Sequence, residues 1–328
     1  MKQHLQSVDE LQAILDETVL EVKDRAEQIY IDAKEAADEH DKPAPRKVDF
    51  AKFGLSVFTR DGDLIQAGDA STAFPIQSIS KVFALEVALQ RHGDKLWKRV
   101  GREPSGDAFN SIIDLERYKG VPRNPFINAG ALVVVDSLLD AEAEAEDANG
   151  SVMSFVKQQL DNEAATFNAD VLERDRSSGD LNRSLLFMAK HHDNLRHKVD
   201  DVMEAYVHQC AISLDCAGLA KAGRFLMHEG SGARSDRGFH ASRRARRILS
   251  IMMTCGMYNG SGDFAFRVGL PAKSGVGGGI LAVVPHTASI AAWSPALDPF
   301  GNSWLGVLGL EFLTNRTDWS VFGNIRKS

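Results

Sequence analysis

Ser78 and Lys81 stand three residues apart in the stretch PIQSISKVFAL, residues 75–85. On one helical turn such a pair shares a face. A lysine whose charge is disfavoured by burial takes a proton from a neighbouring serine hydroxyl and makes it a nucleophile. S-x-x-K also occurs on ordinary surface helices, so the pair needs partners before it means chemistry. Four other segments offer them. PRNPFINAGALV (122–133) carries Asn128, SSGDLNRSLLF (177–187) carries Asn182, and EAYVHQCAIS (204–213) carries Tyr206. TCGMYNGSGDFAFRVGLPAKSGVGGGI (254–280) carries Tyr258, the triplet Lys273-Ser274-Gly275 and a glycine run. Singly, each has an ordinary reading: asparagines cap and turn, tyrosines sit half-buried with a satisfied hydroxyl, and glycine runs form loops.

Together they describe acyl transfer. Ser78 is the expected nucleophile, Lys81 its base if the pocket keeps it neutral, and Tyr258 the relay that brings a proton to the leaving group. Glycines beside a strand let a backbone N–H approach a developing oxyanion, and the N–H groups of Ser78 and Val276 are placed to do so. Asn128, Asn182 and Tyr206 are uncharged hydrogen-bonders suited to a small polar substrate such as an amino acid. GVGGGI lacks the G-x-G-x-x-G spacing and a following helix, so no dinucleotide site is expected. His191 and His192 are adjacent and no H-E-x-x-H occurs, so no catalytic zinc is expected, nor any other cofactor.

The elements that must position these groups are legible in outline. Ser7 followed by Glu10 is a capping box, and Val8, Leu11, Leu15, Val19, Val22, Ala26 and Ile29 form one stripe, predicting a helix over 7–38. DKPAPRK (41–47) ends it. Residues 53–69 alternate on either side of Asp61-Gly62, a hairpin signal. From Ser78 to about Gly230 the chain reads as helices, including NAGALVVVDSLL, with an acidic alanine-rich tract (140–149) as an exposed turn or helix end. ILSIMMTCGMY continues a helix after Arg247. Strand signals return from Asp263, and GVLGLEFLT closes the chain as a helix or a strand. This order predicts an α+β fold: an antiparallel sheet flanked by helices, residues 1–77 and 231–328, with a helical domain, 78–230, inserted after the hairpin and the active site between the two.

The 328 residues carry a net charge of −7, which disfavours nucleic acid as a partner. The basic run SRRARRIL (242–249) reads as the wet face of a helix. Three cysteines, Cys210, Cys216 and Cys255, make no disulfide framework and suit a reducing compartment. The N-terminus lacks the apolar core of an export signal. Residues 274–297 are uncharged but broken by glycines and Pro285, so they read as two strands and a turn rather than a membrane span. A soluble cytoplasmic protein is expected.

At FPIQSISKVF, EPSGDAFNSI, PRNPFINAGAL, CGMYNGSGDFAFRVGLPAKSGVGGGI and SPALDPFGNS the chain resembles the serine-dependent glutaminases, over roughly residues 53–310. That family shares the fold of serine β-lactamases and penicillin-binding proteins, and the S-x-x-K and Lys-Ser-Gly signatures are common to the whole fold. The resemblance implies hydrolysis of L-glutamine to L-glutamate and ammonia through a glutamyl-serine at Ser78, with Lys81 as activator and Tyr258 at the proton-transfer centre. It implies substrate contacts from Asn128, Asp175, Asn182, Tyr206 and the backbone of Val276, a supporting role for Lys273 and Ser274, no metal or organic cofactor, and a homodimer or homotetramer.

Three positions depart from the family pattern. Asp175 stands where a glutamate is expected to meet the substrate's α-ammonium, and is about 1.5 Å shorter in reach. Leu181 replaces a common arginine. Asp41 matches a tyrosine whose hydroxyl reaches the site. These departures keep two other readings in play: a serine amidohydrolase acting on another small amide or on β-lactams, and a non-catalytic binder retaining the fold.

Overall fold

The structure, a computed structural model, describes residues 6–39, 41, 43–106, 111–139, 148–161, 165–177, 179–227 and 236–323. For residues 148–151, 174–177 and 236–237 it describes the backbone alone. The N-terminal capping box forms as its spacing requires: the backbone N–H of Ser7 donates to Glu10 at 2.8 Å and the N–H of Glu10 to Ser7 Oγ at 3.3 Å. Helix α1 follows over Val8–Glu39, burying Leu11, Leu15, Val19 and Val22, while Val8 at the head of the stripe is exposed. The hairpin is β1 (Gly54–Thr59) and β2 (Leu64–Gly68), turning at Gly62 with φ +98°.

The remaining strands are β3 (Phe74–Pro75), β4 (Thr166–Phe167), β5 (Ile212–Leu214), β6 (Ala272–Ser274), β7 (Gly279–Val284) and β8 (Ala288–Trp293). The helices are α2 (Ser80–His92), α3 (Ile113–Arg117), α4 (Asn128–Leu138), α5 (Ala148–Gln159), α6 (Ala169–Ser177), α7 (Asp180–His191), α8 (Val199–Cys210), α9 (Cys216–Ala222), α10 (Asp236–Cys255), α11 (Ser261–Arg267) and α12 (Trp304–Thr317). The main sheet is antiparallel, in the order β2-β1-β8-β7-β6.

Period-two alternation sends each face of this sheet into a different core. On β7, Ile280, Ala282 and Val284 join Leu55 and Val57 of β1 beneath α1 and α12. Leu281 and Val283 point the other way, into a core shared with α2, α5, α9 and α10. Every residue of β7 and β8 is therefore buried, which explains the uncharged run 274–297 without a membrane. Among the described residues no helix is long and apolar enough to cross one. A separate core joins α4, α7 and α8 through side chains such as Leu132, Leu186 and Val202.

Two features differ from the sequence reading. Residues 261–267 are helix α11, not strand: only Phe264 faces the core, Phe266 is 90% exposed, and Asp263 pairs with Arg267 one turn on at 3.5 Å. A three-stranded sheet, β3-β5-β4, also joins the segment before Ser78 to the helical region, its strands too short to leave a periodic signal. Residues 140–147 of the acidic tract lie outside the described residues, and the closing element is helix α12. The arginines of the basic run are largely engaged: Arg244 pairs with buried Glu86 at 2.9 Å, and Arg243 and Arg247 with Asp94.

Candidate active site

Ser78 lies in a 3₁₀ turn, Gln77–Ile79, that joins β3 to α2, and it is 8% exposed. The residue before it, Gln77, has φ +49°, a left-handed conformation that a non-glycine residue keeps only when its surroundings over-determine it. Those surroundings are visible. The N–H of Ile76 donates to Ile212 O at 2.8 Å, extending the small sheet into the turn. Behind it lies the β6–β7 turn. A Cβ on Gly277 would sit 2.1 Å from Pro75 O, and one on Gly275 2.5 Å from Ile76 O. The glycine run thus serves close backbone approach to the segment carrying Ser78. Val276, 44% exposed, is carried on this turn, and among the described residues its N–H has no hydrogen-bond partner.

Lys81, in the first turn of α2, is 1% exposed. Its Nζ donates to Asn128 Oδ1 at 2.7 Å and to Phe126 O at 3.1 Å. Asn128 in turn donates through Nδ2 to Asn182 Oδ1 at 3.1 Å and accepts from the Tyr206 hydroxyl at 3.5 Å. Four residues from α2, α4, α7 and α8 therefore form one hydrogen-bonded chain. Both contacts of Lys81 are to neutral oxygens, so nothing offsets burial as a carboxylate would. Burial pulls the ammonium from its ordinary 10.5 down to about 8, with the Cys210 thiol opposing weakly. The neutral fraction at pH 7 rises accordingly from about 0.03% to roughly 9%.

Tyr258 follows α10 and opens a short 3₁₀ turn, with φ +51°. Burial pushes its hydroxyl up, with the nearby Ser78 side chain acting the other way; the group stays protonated at neutral pH. The Lys273 ammonium lies 4.4 Å from the centre of the Tyr258 ring, its Nζ donating to Ser274 O at 2.5 Å. Lys273 is fully buried, and both burial and the charge of Lys81 press its pKa well down. Protonating either amine disfavours the other. Ser274 Oγ is buried without a protein partner among the described residues.

Ser78, Lys81, Asn128, Asn182, Tyr206 and Tyr258 are thus linked in space. Asp175 falls on α6, and its side chain lies outside the described residues. Leu181 is 48% exposed. Asp41 is exposed in the turn after α1, its N–H donating to Asp38 O. One positioning residue escaped the sequence reading. Asn124, 1% exposed, accepts from the N–H groups of Phe126 and Ile127 and donates to Glu103 O at 3.0 Å, so it shapes the loop that presents Phe126 O to Lys81. Its only signal was an Asn-Pro dipeptide, a turn marker. A cavity of about 30 Å³ separates this loop from Tyr258. A groove of about 700 Å³ over α10 and the β7–β8 turn shares no residue with the site, so size does not make it the reaction centre. Among the described residues no group of three or more His, Cys, Asp or Glu side chains would hold a metal ion.

The glutaminase family model matches residues 40–322. A glutaminase of Rhizobium etli (strain CIAT 652) is 51% identical over 282 residues, 86% of this chain and 91% of its own. The chain belongs to the glutaminase family. This glutaminase is also similar to solved structures. A Bacillus glutaminase crystallised with 4.3 M NaCl matches with a TM-score of 0.76 at 32% identity, covering 89% of this chain and 99% of that one. A Bacillus subtilis glutaminase, solved as the covalent complex with 5-oxo-L-norleucine formed by reaction with 6-diazo-5-oxo-L-norleucine, matches at 0.71 and 31%, covering 83% and 90%. The β-lactamase-like α+β fold expected from the sequence is the fold of this glutaminase.

Proposed function

We propose that this glutaminase hydrolyses L-glutamine to L-glutamate and ammonia through a glutamyl ester on Ser78. The observation that carries the mechanism is Lys81: a buried amine on the turn after the serine, held by two neutral oxygens and poised near pH 8. Neutral Lys81 takes the Ser78 proton as Oγ attacks the side-chain amide carbon. The N–H groups of Ser78 and Val276 stabilise the oxyanion. Tyr258, protonated and beside Ser78, delivers a proton to the departing nitrogen and is resupplied from the Lys81 ammonium. The C–N bond breaks, ammonia leaves, and the ester remains. Water then attacks the ester with the same groups returning the protons, releasing glutamate and regenerating the hydroxyl.

Asn128, Asn182 and Tyr206 hold the amino-acid end, Asp175 meets its ammonium, and the Ser274 hydroxyl adds a polar wall. The site lies where the sheet domain, residues 1–77 and 231–328, meets the helical domain, 78–230. The compound 6-diazo-5-oxo-L-norleucine carries a diazoketone where glutamine carries its amide. Treated with it, the protein should gain one adduct, mapped by peptide mass spectrometry to Ser78, and glutamine but not asparagine should release ammonia. An adduct elsewhere, or ammonia from both amides, sinks this reading.

The working form is a homodimer or homotetramer in the cytoplasm. Exposed Phe266 and Phe322 on neighbouring segments support self-association, and a sparse set of three cysteines suits that compartment. Sedimentation velocity should show no monomer at micromolar concentration; a clean monomer would refute the assembly.

A further inference from the structure

The loop at residues 298–302 touches the site from behind and has no part in the steps above. Asp298 organises it: Oδ1 accepts the N–H of Asn302 at 2.8 Å and of Phe300 at 2.9 Å, and the Asp298 N–H donates to Asn302 O at 2.7 Å. The loop is anchored at its exit, where Ser303 Oγ donates to Ser294 O and caps α12 by accepting the N–H of Gly306. Asn302, 3% exposed, turns its Nδ2 to two acceptors, Met257 O at 3.2 Å and Asp298 Oδ2 at 3.3 Å. Its Oδ1 has no protein partner among the described residues, so this buried amide is held there by its donors.

Met257 directly precedes Tyr258, whose backbone is left-handed at φ +51°. Ser261 ties the same segment: Met257 N–H donates to its Oγ at 3.0 Å, and that Oγ donates to Tyr258 O at 3.0 Å. The Met257 carbonyl accepts twice, from the Gly260 N–H at 2.9 Å within the turn and from the Asn302 amide, the tie that comes from the 298–302 loop. Gly301 completes the contact. With φ +97° and no side chain, it lies where a Cβ would meet Val276 Cγ1 at 3.3 Å and Tyr258 Cε2 at 3.5 Å.

We propose that Asn302 is a positioning residue for the reaction, its amide clamping the Met257 carbonyl so that the Tyr258 hydroxyl is aimed at the leaving nitrogen. This rests on the proton-transfer role of Tyr258 given above. A misplacement of about 1 Å in a reacting group costs on the order of a hundredfold in rate.

The test compares two substrates through kcat/KM, which reports acylation alone: glutamine, whose nitrogen must be protonated to leave, and a γ-glutamyl thioester, whose thiolate leaves without a proton. Asn302→Ala should lose about 10- to 100-fold on glutamine and less than about threefold on the thioester. Asn302→Leu keeps the side chain's size but donates nothing to the Met257 carbonyl, and should show the same amide-selective loss even if Asn302→Ala folds poorly. Tyr258→Phe should reproduce the pattern, and combining it with Asn302→Ala should add little further loss, because both act through one hydroxyl. Equal losses on the two substrates, or losses that multiply in the double variant, overturn the proposal. An Asn302→Ala variant that matches the parent beside a disabled Tyr258→Phe overturns it alone. A Tyr258→Phe variant that keeps full activity on glutamine overturns the proton-transfer reading as well.

Discussion

Ser78→Ala is expected to lower ammonia release from glutamine by about 10⁴-fold or more, measured by coupling to glutamate dehydrogenase under saturating substrate. The substitution removes one oxygen from a side chain that is 8% exposed and leaves the packing of the surrounding apolar core in place. Thermal unfolding should therefore shift by no more than a few degrees. Glutamine should still bind, because Asn128, Asn182 and Tyr206 are untouched and remain hydrogen-bonded to one another. No acyl adduct should accumulate on mixing with substrate. A variant retaining even a hundredth of the parent activity would mean that water attacks the amide directly, and the serine would then be a binding group rather than a nucleophile.

The second large effect belongs to Lys81 and carries a pH signature. The reactive form is the neutral amine, so protonation switches the enzyme off. As pH rises through about 8 the amine loses its proton, and kcat/KM should climb tenfold per unit below that value and level off above it. Lys81→Arg keeps a cation near Phe126 O and Asn128 but cannot deprotonate in the working range. It should lose roughly 10³-fold or more, and the rise centred near pH 8 should vanish from whatever activity remains. Lys273 complicates neither the sign nor the direction. Its own proton affinity is pressed further down by burial and by Lys81, so deprotonating the pair with rising pH only frees the base. A profile flat from pH 6 to 9 in the parent enzyme, or an active arginine variant, would remove Lys81 from the role of base.

The glutaminase relatives bear on the alternatives that the substitutions at positions 41, 175 and 181 had kept in play. Sequence similarity extending over nine-tenths of a curated glutaminase, with Ser78, Lys81 and Tyr258 gathered in space, favours the family reaction over a fold retained for binding alone. Leu181 points its consequence outward, being half exposed beside Asn182 rather than part of the hydrogen-bonded chain.

Much of the scaffold was legible because its causes are short-range. The Ser7/Glu10 box, the apolar stripe of α1, the Asp-Gly turn between β1 and β2 and the S-x-x-K spacing each depend on residues within a few positions of one another. The uncharged run 274–297, broken by glycines and Pro285, was legible as two strands and a turn. Helix α11 was missed because its two phenylalanines alternate as a strand's would, and only packing reveals that one of them faces water. Asn124 and Asn302 were missed because an asparagine in a loop looks the same whether it caps a turn or holds a catalytic backbone.

Residue types and local spacing, then, determined which groups were available for chemistry and which segments would become helices or strands. The folded arrangement alone decided that the Lys81 amine gives up its proton near pH 8: its proton affinity depends on the low-dielectric surroundings in which Asn128, 47 residues along the chain, is its partner. Tyr258 likewise comes beside Ser78 only when the chain after α10 returns against the turn that carries it. Helix caps and turns are set by neighbours in sequence, whereas desolvation and Coulomb forces act through distance in space, which the chain acquires only on folding.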